Sequence, residues 1–253
     1  MARALEGKAI AITGASSGIG EATALACVAE GASVALAARR SDRIDALAKK
    51  INDAGGKAVA ITTDITDEAQ ANAFVEQSAE QLGGLHGLVN NAGVMLLGAV
   101  TGAPTDQWRQ MIEVNCLGLL YCTHAALPIM GGAGAGHIVN ISSTAGRTAN
   151  LGVAVYNMTK WGVTGFSEAL RQEALHAGIR VTIIEPGFVN TELQGHNEGN
   201  EMVMAATKKM REDIGEDNLL QAEDIADAIV YALTRPQHVS INELLVRPTK
   251  QQR

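Results

Sequence analysis

The sequence predicts a single α/β domain, residues 1–253, built on a doubly wound parallel sheet. Short strand-like runs alternate with longer helix-like stretches from one end of the chain to the other, the signature of a sheet wound by crossover helices. The runs AIAIT, VALAA, HIVNI and VTII are apolar on successive residues, as strands covered by helices on both faces must be. A length of 253 residues suits one continuous core.

The elements follow in order. Lys8 to Thr13 reads as a strand, Gly18 to Glu30 as a helix, Ser33 to Ala38 as a strand and Asp42 to Ala54 as a helix. The alternation continues with Ala58 to Thr63, Asp67 to Leu82, Gly87 to Asn90, Pro104 to Met130, His137 to Ser142, Val153 to Ala177 and Arg180 to Glu185. Gly31, Gly55 and Gly178 each follow a helical stretch, where a residue at positive φ ends the helix. Gly131 to Gly136, reading GGAGAG, has little side chain to pack and reads as a flexible connection. Past Pro186 the pattern weakens: Thr191 to Asn218 is polar and Met-containing, before Ala222 to Thr234 resumes a helix and Glu243 to Val246 a last strand. An insertion there lies near the carboxyl ends of the strands, where ligands bind, so residues 191–218 read as a substrate lid.

Aromatic residues make up only 3% of the chain against 47% hydrophobic, so the core rests on Ala, Val, Ile and Leu. A net charge of −7 with no long basic run argues against nucleic acid or an anionic membrane as partner. Cys27, Cys116 and Cys122 have neither disulfide nor zinc spacing and read as packing thiols. His86, His124, His137, His176, His196 and His238 show no metal-ligand spacing, so no metal is expected, and only His196, in the lid, is placed to touch substrate. Met1 to Lys8 is polar and leads straight into a strand, and no stretch free of polar residues reaches the roughly 20 needed to span a bilayer. The expected location is cytoplasmic.

The first turn carries the first chemistry. Strand one runs into Thr13-Gly14-Ala15-Ser16-Ser17-Gly18-Ile19-Gly20 and then a helix. Glycines at 14, 18 and 20 permit a tight turn, close approach of backbone to a pyrophosphate and packing of helix on strand, while the helix N-terminus holds the phosphates. A nucleotide-hydrolysing loop needs Lys-Ser/Thr after its last glycine, and Gly20 is followed by Glu21. After the second strand come Arg39 and Arg40, with no acid until Asp42. An acid there would bond a ribose 2′-hydroxyl; guanidinium groups suit a 2′-phosphate, so NADP(H) is the expected cofactor.

Tyr156 and Lys160 lie four apart on one helical face. A fixed ammonium beside a phenol stabilises phenolate, so Lys160 is expected to lower the pKa of Tyr156 into a range useful for acid–base work. Ser143 ends the strand HIVNIS, thirteen residues before Tyr156, which sets it at a carboxyl strand end where its hydroxyl can hold a substrate oxygen. Ser142 should point to the other side of the strand. No G-x-S-x-G elbow surrounds Ser143, so a serine hydrolase does not fit.

With TGASSGIG at 13–20, NNAG at 90–93, Asn115, the Ser143/Tyr156/Lys160 set and PGFVNT at 186–191 in order and at matching spacing, the chain resembles the short-chain dehydrogenase/reductase family over nearly its whole length. The resemblance implies a seven-stranded Rossmann-fold sheet and hydride transfer between a nicotinamide and a carbonyl or alcohol. It implies Asn115 as a fourth catalytic residue holding a water or proton relay near Lys160, Asn91, Ala92 and Gly93 supporting the cofactor, and Asp64 and Ile65 flanking adenine. Ser16 and Arg39 would meet the 2′-phosphate. Pro186, Gly187, Val189 and Thr191 would line the nicotinamide site, Tyr156 and Lys160 would also contact the cofactor, and Lys160 would bond the nicotinamide ribose. NNAGVMLLG, RQEALHAGIRVTIIEPG and ELQGH resemble the NADP-dependent branch that includes clavulanate dehydrogenase and bacterial 3-hydroxy acid dehydrogenases, with Val94 to Leu97, Arg147, Asn150, Leu151 and Phe188 shaping the pocket. The helices 104–130 and 153–177 resemble those that pair subunits in this family, implying a homotetramer, with a dimer as the alternative. A non-catalytic dinucleotide-binding regulator or scaffold would keep the turn but needs no Ser143/Tyr156/Lys160 set. Sugar epimerases or dehydratases with a similar Tyr-Lys pair carry a larger C-terminal domain, for which this chain has little room.

Overall fold

The computed structural model describes residues 3–252; Met1, Ala2 and Arg253 lie outside the described residues. Seven strands form one sheet: β1 (Ala9–Thr13), β2 (Ser33–Ala38), β3 (Lys57–Thr62), β4 (Gly87–Asn90), β5 (Gly136–Ile141), β6 (Ile179–Pro186) and β7 (Glu243–Val246). Among the described residues eight α-helices accompany them: α1 (Gly18–Ala29), α2 (Ser41–Asp53), α3 (Glu68–Leu82), α4 (Thr105–Ile112), α5 (Gly118–Ala133), α6 (Ala154–Glu173), α7 (Glu201–Ile214) and α8 (Ala222–Leu233). The sheet order is β3-β2-β1-β4-β5-β6-β7 with every neighbouring pair parallel. Strand order reverses between β1 and β4, and the crevice for a ligand opens at the carboxyl ends there.

Alternation along each strand sorts the core into two layers. Ile10, Ile12, Val34, Leu36, Val89, Val139 and Ile184 pack with Ile44, Ile225 and Ile229 of α2 and α8. The intervening Ala11, Ala35, Ala37, Leu88, Ile138 and Val181 face Phe74, Met130 and Leu170 of α3, α5 and α6. Small alanines on β1 and β2 leave room for Phe74, which is fully buried. A chain with few aromatics thus fills its interior by pairing large residues with small ones across the interface.

Three sequence expectations need correcting. GGAGAG is not a flexible connection: Gly131, Gly132 and Ala133 continue α5, Gly134 ends it at φ 71° and Gly136 starts β5. The helix expected over 104–130 is interrupted by a π-turn at Glu113–Leu117, closed by the Gly118 N–H on the Glu113 carbonyl. The whole run Thr105–Ala133 is long and apolar enough to cross a membrane by length and composition. Instead its Met111, Cys122, Ala126 and Met130 are buried in the sheet's core. Finally, the weak pattern over 191–218 hides regular structure: a 3₁₀ turn Glu192–Asn197, then α7, then a 3₁₀ turn Glu216–Asn218.

His137 lies in the middle of the sheet, and burial pushes its pKa down from 6.5 to about 3, helped by the charge of Arg180. The hydroxyl of Thr182 donates to the Ile241 carbonyl, so its oxygen accepts from His137 Nε2–H at 2.7 Å and fixes the neutral tautomer. The unfolded chain takes up a proton below about pH 6.5 that the folded chain refuses until about pH 3. Stability therefore falls as pH drops through that window, by up to about 1.4 kcal/mol per pH unit from this residue. A His137→Gln variant, which keeps a donor for Thr182, should show a flatter fall in urea midpoint between pH 6.5 and 4. An unchanged pH dependence would remove His137 from the account of acid stability.

Candidate active site

The turn after β1 is built by close backbone contacts. Gly14 has φ +66°, and a Cβ there would sit 2.8 Å from Ala92 Cα. At Gly20 a Cβ would meet the Gly14 carbonyl oxygen at 2.3 Å, so α1 can start against the strand only without a side chain. Asn91 Nδ2 donates to the carbonyls of Thr13 and Gly14 (3.0 and 3.2 Å), and Thr13 Oγ1 accepts from the N–H groups of Asn91 and Ala92 (3.0 and 3.1 Å). The loops after β1 and β4 are thereby one rigid unit.

One cavity of about 960 Å³ runs over the carboxyl ends of the sheet. One end is walled by Gly14, Ser16, Ser17, Gly18, Ile19, Arg39 and Arg40, and its flank by Asp64, Ile65, Asn91, Ala92 and Gly93. Its far part holds Ser143, Tyr156 and Lys160 with Pro186, Gly187, Val189 and Thr191. Gly20 and Asn115 stand behind the wall, Gly20 as packing under the turn and Asn115 behind Gly93. Val94, Met95, Leu97, Asn150, Leu151 and Phe188 line it as expected, and so do His196, Met202 and Met210 from the segment after Leu193. Leu96 and Arg147 do not. Arg147 Nε donates to Glu185 Oε2 at 2.6 Å and its Nη2 to Glu243, tying the turn after Ser143 to β6 and β7 rather than shaping the cavity.

Ser143 sits just past β5. Its Oγ accepts from the Ala145 N–H at 3.1 Å and reaches the Pro186 carbonyl only at 3.5 Å, leaving it available to a ligand. Ser142 turns away to the Lys160 carbonyl (3.1 Å) and Thr164 Oγ1 (3.0 Å), as strand alternation requires. Asn157 Nδ2 donates to the carbonyls of Ala145 and Thr148 at 2.6 and 2.8 Å, so α6 fixes the Ser143 turn beside Tyr156. That role was not read from the sequence, although Asn157 adjoins Tyr156. Thr13 was missed too, though it directly precedes Gly14.

Electrostatics here depart from the sequence expectation. Burial pushes the Tyr156 phenol up to about 12, with the Ser143 hydroxyl pulling the other way. Lys160 Nζ lies 5.7 Å from the phenol ring centroid and donates to the Ile141 carbonyl at 2.8 Å. Burial brings Lys160 down to about 8. Desolvation, not the charge of Lys160, thus sets the direction of the phenol's shift. Asn115 is also more committed than expected: its Oδ1 accepts from the Val94 N–H at 2.8 Å and its Nδ2 donates to the Val94 carbonyl and Thr159 Oγ1. Its carboxamide fastens the loop after β4 to the π-turn and α6, and Gly93 separates it from the cavity.

At the opposite end Arg40 donates through Nε and Nη2 to Ser16 Oγ (3.1 and 2.8 Å) and through Nη2 to Ser17 Oγ (2.8 Å). Guanidinium and hydroxyl groups converge there as an anion seat, which suits the phosphate of a dinucleotide. Asp64 Oδ1 accepts from the Thr66 N–H and hydroxyl and shapes the turn after β3. Burial pushes the Cys27 and Cys122 thiols up to about 12, in keeping with packing. Among the described residues no group of three or more His, Cys, Asp or Glu side chains is arranged to hold a metal ion.

A family profile described as short chain dehydrogenase matches residues 8–201. The chain is 42% identical over 244 residues to the glycine betaine reductase ATRR of Emericella nidulans, covering 96% of this chain but only 19% of that much longer protein. It is 41% identical over 249 residues to an oxidoreductase of Staphylococcus saprophyticus, covering 96% and 97% of the two chains. Among solved structures it resembles a metagenomic short-chain oxidoreductase in complex with NADP, at TM-score 0.81 and 30% identity over 98% of this chain and 100% of that one. A short-chain dehydrogenase/reductase from Burkholderia phymatum in complex with NAD aligns at TM-score 0.84 and 27% identity over 95% and 89%.

Proposed function

The chain belongs to the short-chain dehydrogenase/reductase family, and on that premise we propose that it is an NADP(H)-dependent reductase interconverting an aldehyde or ketone with its alcohol. The observation that carries the reading is the single cavity joining the Arg40–Ser16 anion seat to Ser143, Tyr156 and Lys160. Gly14 to Gly20 would hold the pyrophosphate, Arg39, Arg40 and Ser16 a 2′-phosphate, and Val189, Thr191 and Lys160 the nicotinamide end. The bound nicotinamide supplies or accepts the hydride. Ser143 Oγ and the Tyr156 hydroxyl hold the substrate oxygen. Because burial keeps the Tyr156 phenol protonated at neutral pH, it stands ready to give its proton to that oxygen, the direction of reduction. Lys160, at about 8 and 5.7 Å from the ring centroid, would restore that proton. Asn115 holds this arrangement in position.

The segment 191–218 is the lid of this reading: Asn197 accepts from the Leu97 N–H at 2.7 Å and donates to the Met95 carbonyl at 2.9 Å, so it is pinned over the substrate half. Apolar side chains such as Leu97, Leu151, Phe188 and Met202 wall that half, favouring a carbonyl with an apolar substituent. A homotetramer is part of the same reading, supported by Ile112, Met158 and Trp161, which are exposed on α4 and α6. Relatives named as oxidoreductases, rather than regulators, support catalysis over a scaffold role. Purified protein given NADPH or NADH with a panel of aldehydes and ketones should oxidise NADPH preferentially. An Arg39→Ala/Arg40→Ala double variant should lose about tenfold to a hundredfold in kcat/KM for NADPH and little for NADH. No preference in the wild type, or none lost in the variant, overturns the cofactor assignment.

A further inference from the structure

The anion seat at the end of β2 already holds an anion of the protein's own. Glu192, the first residue of the 3₁₀ turn that opens the lid, reaches back across 152 positions of sequence: its Oε2 accepts from Arg40 Nη1 at 2.8 Å. Arg43 Nη1 donates to the same carboxylate at 2.8 Å on Oε1 and 3.0 Å on Oε2. The remaining donors of Arg40 used here go to Ser16 and Ser17. Ser16, Arg40 and Glu192 line the same end of the cavity.

We infer that Glu192 is a specificity-determining residue for the cofactor, its carboxylate, anchored by Arg43, competing with a 2′-phosphate for Arg40 and so restraining the chain's preference for NADP(H) over NAD(H). The inference rests on the reading that Arg40 faces the adenosine ribose. The Arg40 Nη1–H that Glu192 takes is withdrawn from a phosphate oxygen, and a carboxylate and a phosphate, both acceptors, gain no hydrogen bond from each other. Their like charges also repel. A free ribose 2′-hydroxyl, by contrast, is a donor and leaves the carboxylate in place. The pyrophosphate is common to both cofactors, so its own repulsion by Glu192 cancels in their ratio. The three side chains are 42%, 43% and 55% exposed. Solvent screens such pairs, so the competition is a matter of several-fold and not of exclusion. Asp42 and Glu21 also act on Arg43, but through charge alone, without hydrogen bonds.

The test is calorimetric binding of 2′,5′-ADP and 5′-AMP, which differ only in the 2′-phosphate, to wild-type protein and to Glu192→Gln. The variant should bind 2′,5′-ADP about threefold to tenfold more tightly and 5′-AMP about as before. The gain should shrink in about 0.5 M salt. An unchanged ratio of the two affinities overturns the inference, as does a parallel weakening of both, which would make Glu192 a strap over the nucleotide. The cofactor reading fails separately: wild-type protein that binds both ligands equally, with no response to Arg40→Ala, removes the preference for NADP(H). Competition for Arg40 predicts that the ratio shift of Glu192→Gln vanishes in the Glu192→Gln/Arg40→Ala double variant; a shift that persists there overturns the inference and leaves the cofactor reading standing.

Discussion

Tyr156→Phe should lower kcat for carbonyl reduction by about a hundredfold to ten-thousandfold, the range that a positioned general acid supplies. Cofactor affinity should barely move. The substitution deletes one oxygen from a buried ring and leaves intact the Asn157 bonds that hold α6 against the Ser143 turn. Any loss is therefore chemical rather than architectural, and an unchanged thermal midpoint beside the lost turnover would establish this. The pH profile sharpens the assignment. A phenol at about 12 stays protonated through the neutral range and sets no limb there. Lys160, at about 8, loses its proton first. The kcat/KM for reduction should then fall on an alkaline limb near pH 8, while Ser143→Ala should reduce kcat and leave the limb in place. Full activity in Tyr156→Phe would sink the assignment of the phenol as acid.

The order of elements and the site's local spacings were legible in the sequence because each depends on neighbours along the chain. Strands apolar on both faces state that helices cover both sides. Ser143, Tyr156 and Lys160 converge because a strand end and one helical face bring them there. What was hidden depends on tertiary contact. Gly131 and Gly132 look like a breaker run, yet the packing of Met130 against the sheet carries α5 past their poor propensity. The π-turn at Asn115 differs from an α-turn by one hydrogen-bond register, which no residue pattern announces. The direction of the Tyr156 shift follows from burial, a property of the assembled core, and not from the i,i+4 spacing that suggested the opposite. Glu192 meets Arg40 only because the loops after β6 and β2 end at the same side of the crevice.

The largest effect on the cofactor turn should come from adding a single methyl group. Gly20→Ala would place a Cβ 2.3 Å from the Gly14 carbonyl oxygen and 2.6 Å from Asn91 Nδ2, the atom that ties the loop after β4 to the turn. The closest obstacle is backbone, so the strain cannot be relieved by a rotamer change. Either α1 retreats from β1 or the Asn91 bonds break. We expect a loss of about 1–3 kcal/mol in stability, the usual cost of overpacking, together with loss of measurable nucleotide binding, since the N–H groups that face the phosphates move with the helix. Gly132→Ala supplies the comparison. That glycine lies inside α5 with nothing within 4 Å of its Cβ position, and alanine there should leave binding intact and stabilise by about 0.5–1 kcal/mol through helix propensity. Urea unfolding and 5′-AMP titration on the two variants separate the effects. If Gly20→Ala binds nucleotide as the wild type does, the crowding at Gly14 is not what shapes the phosphate turn.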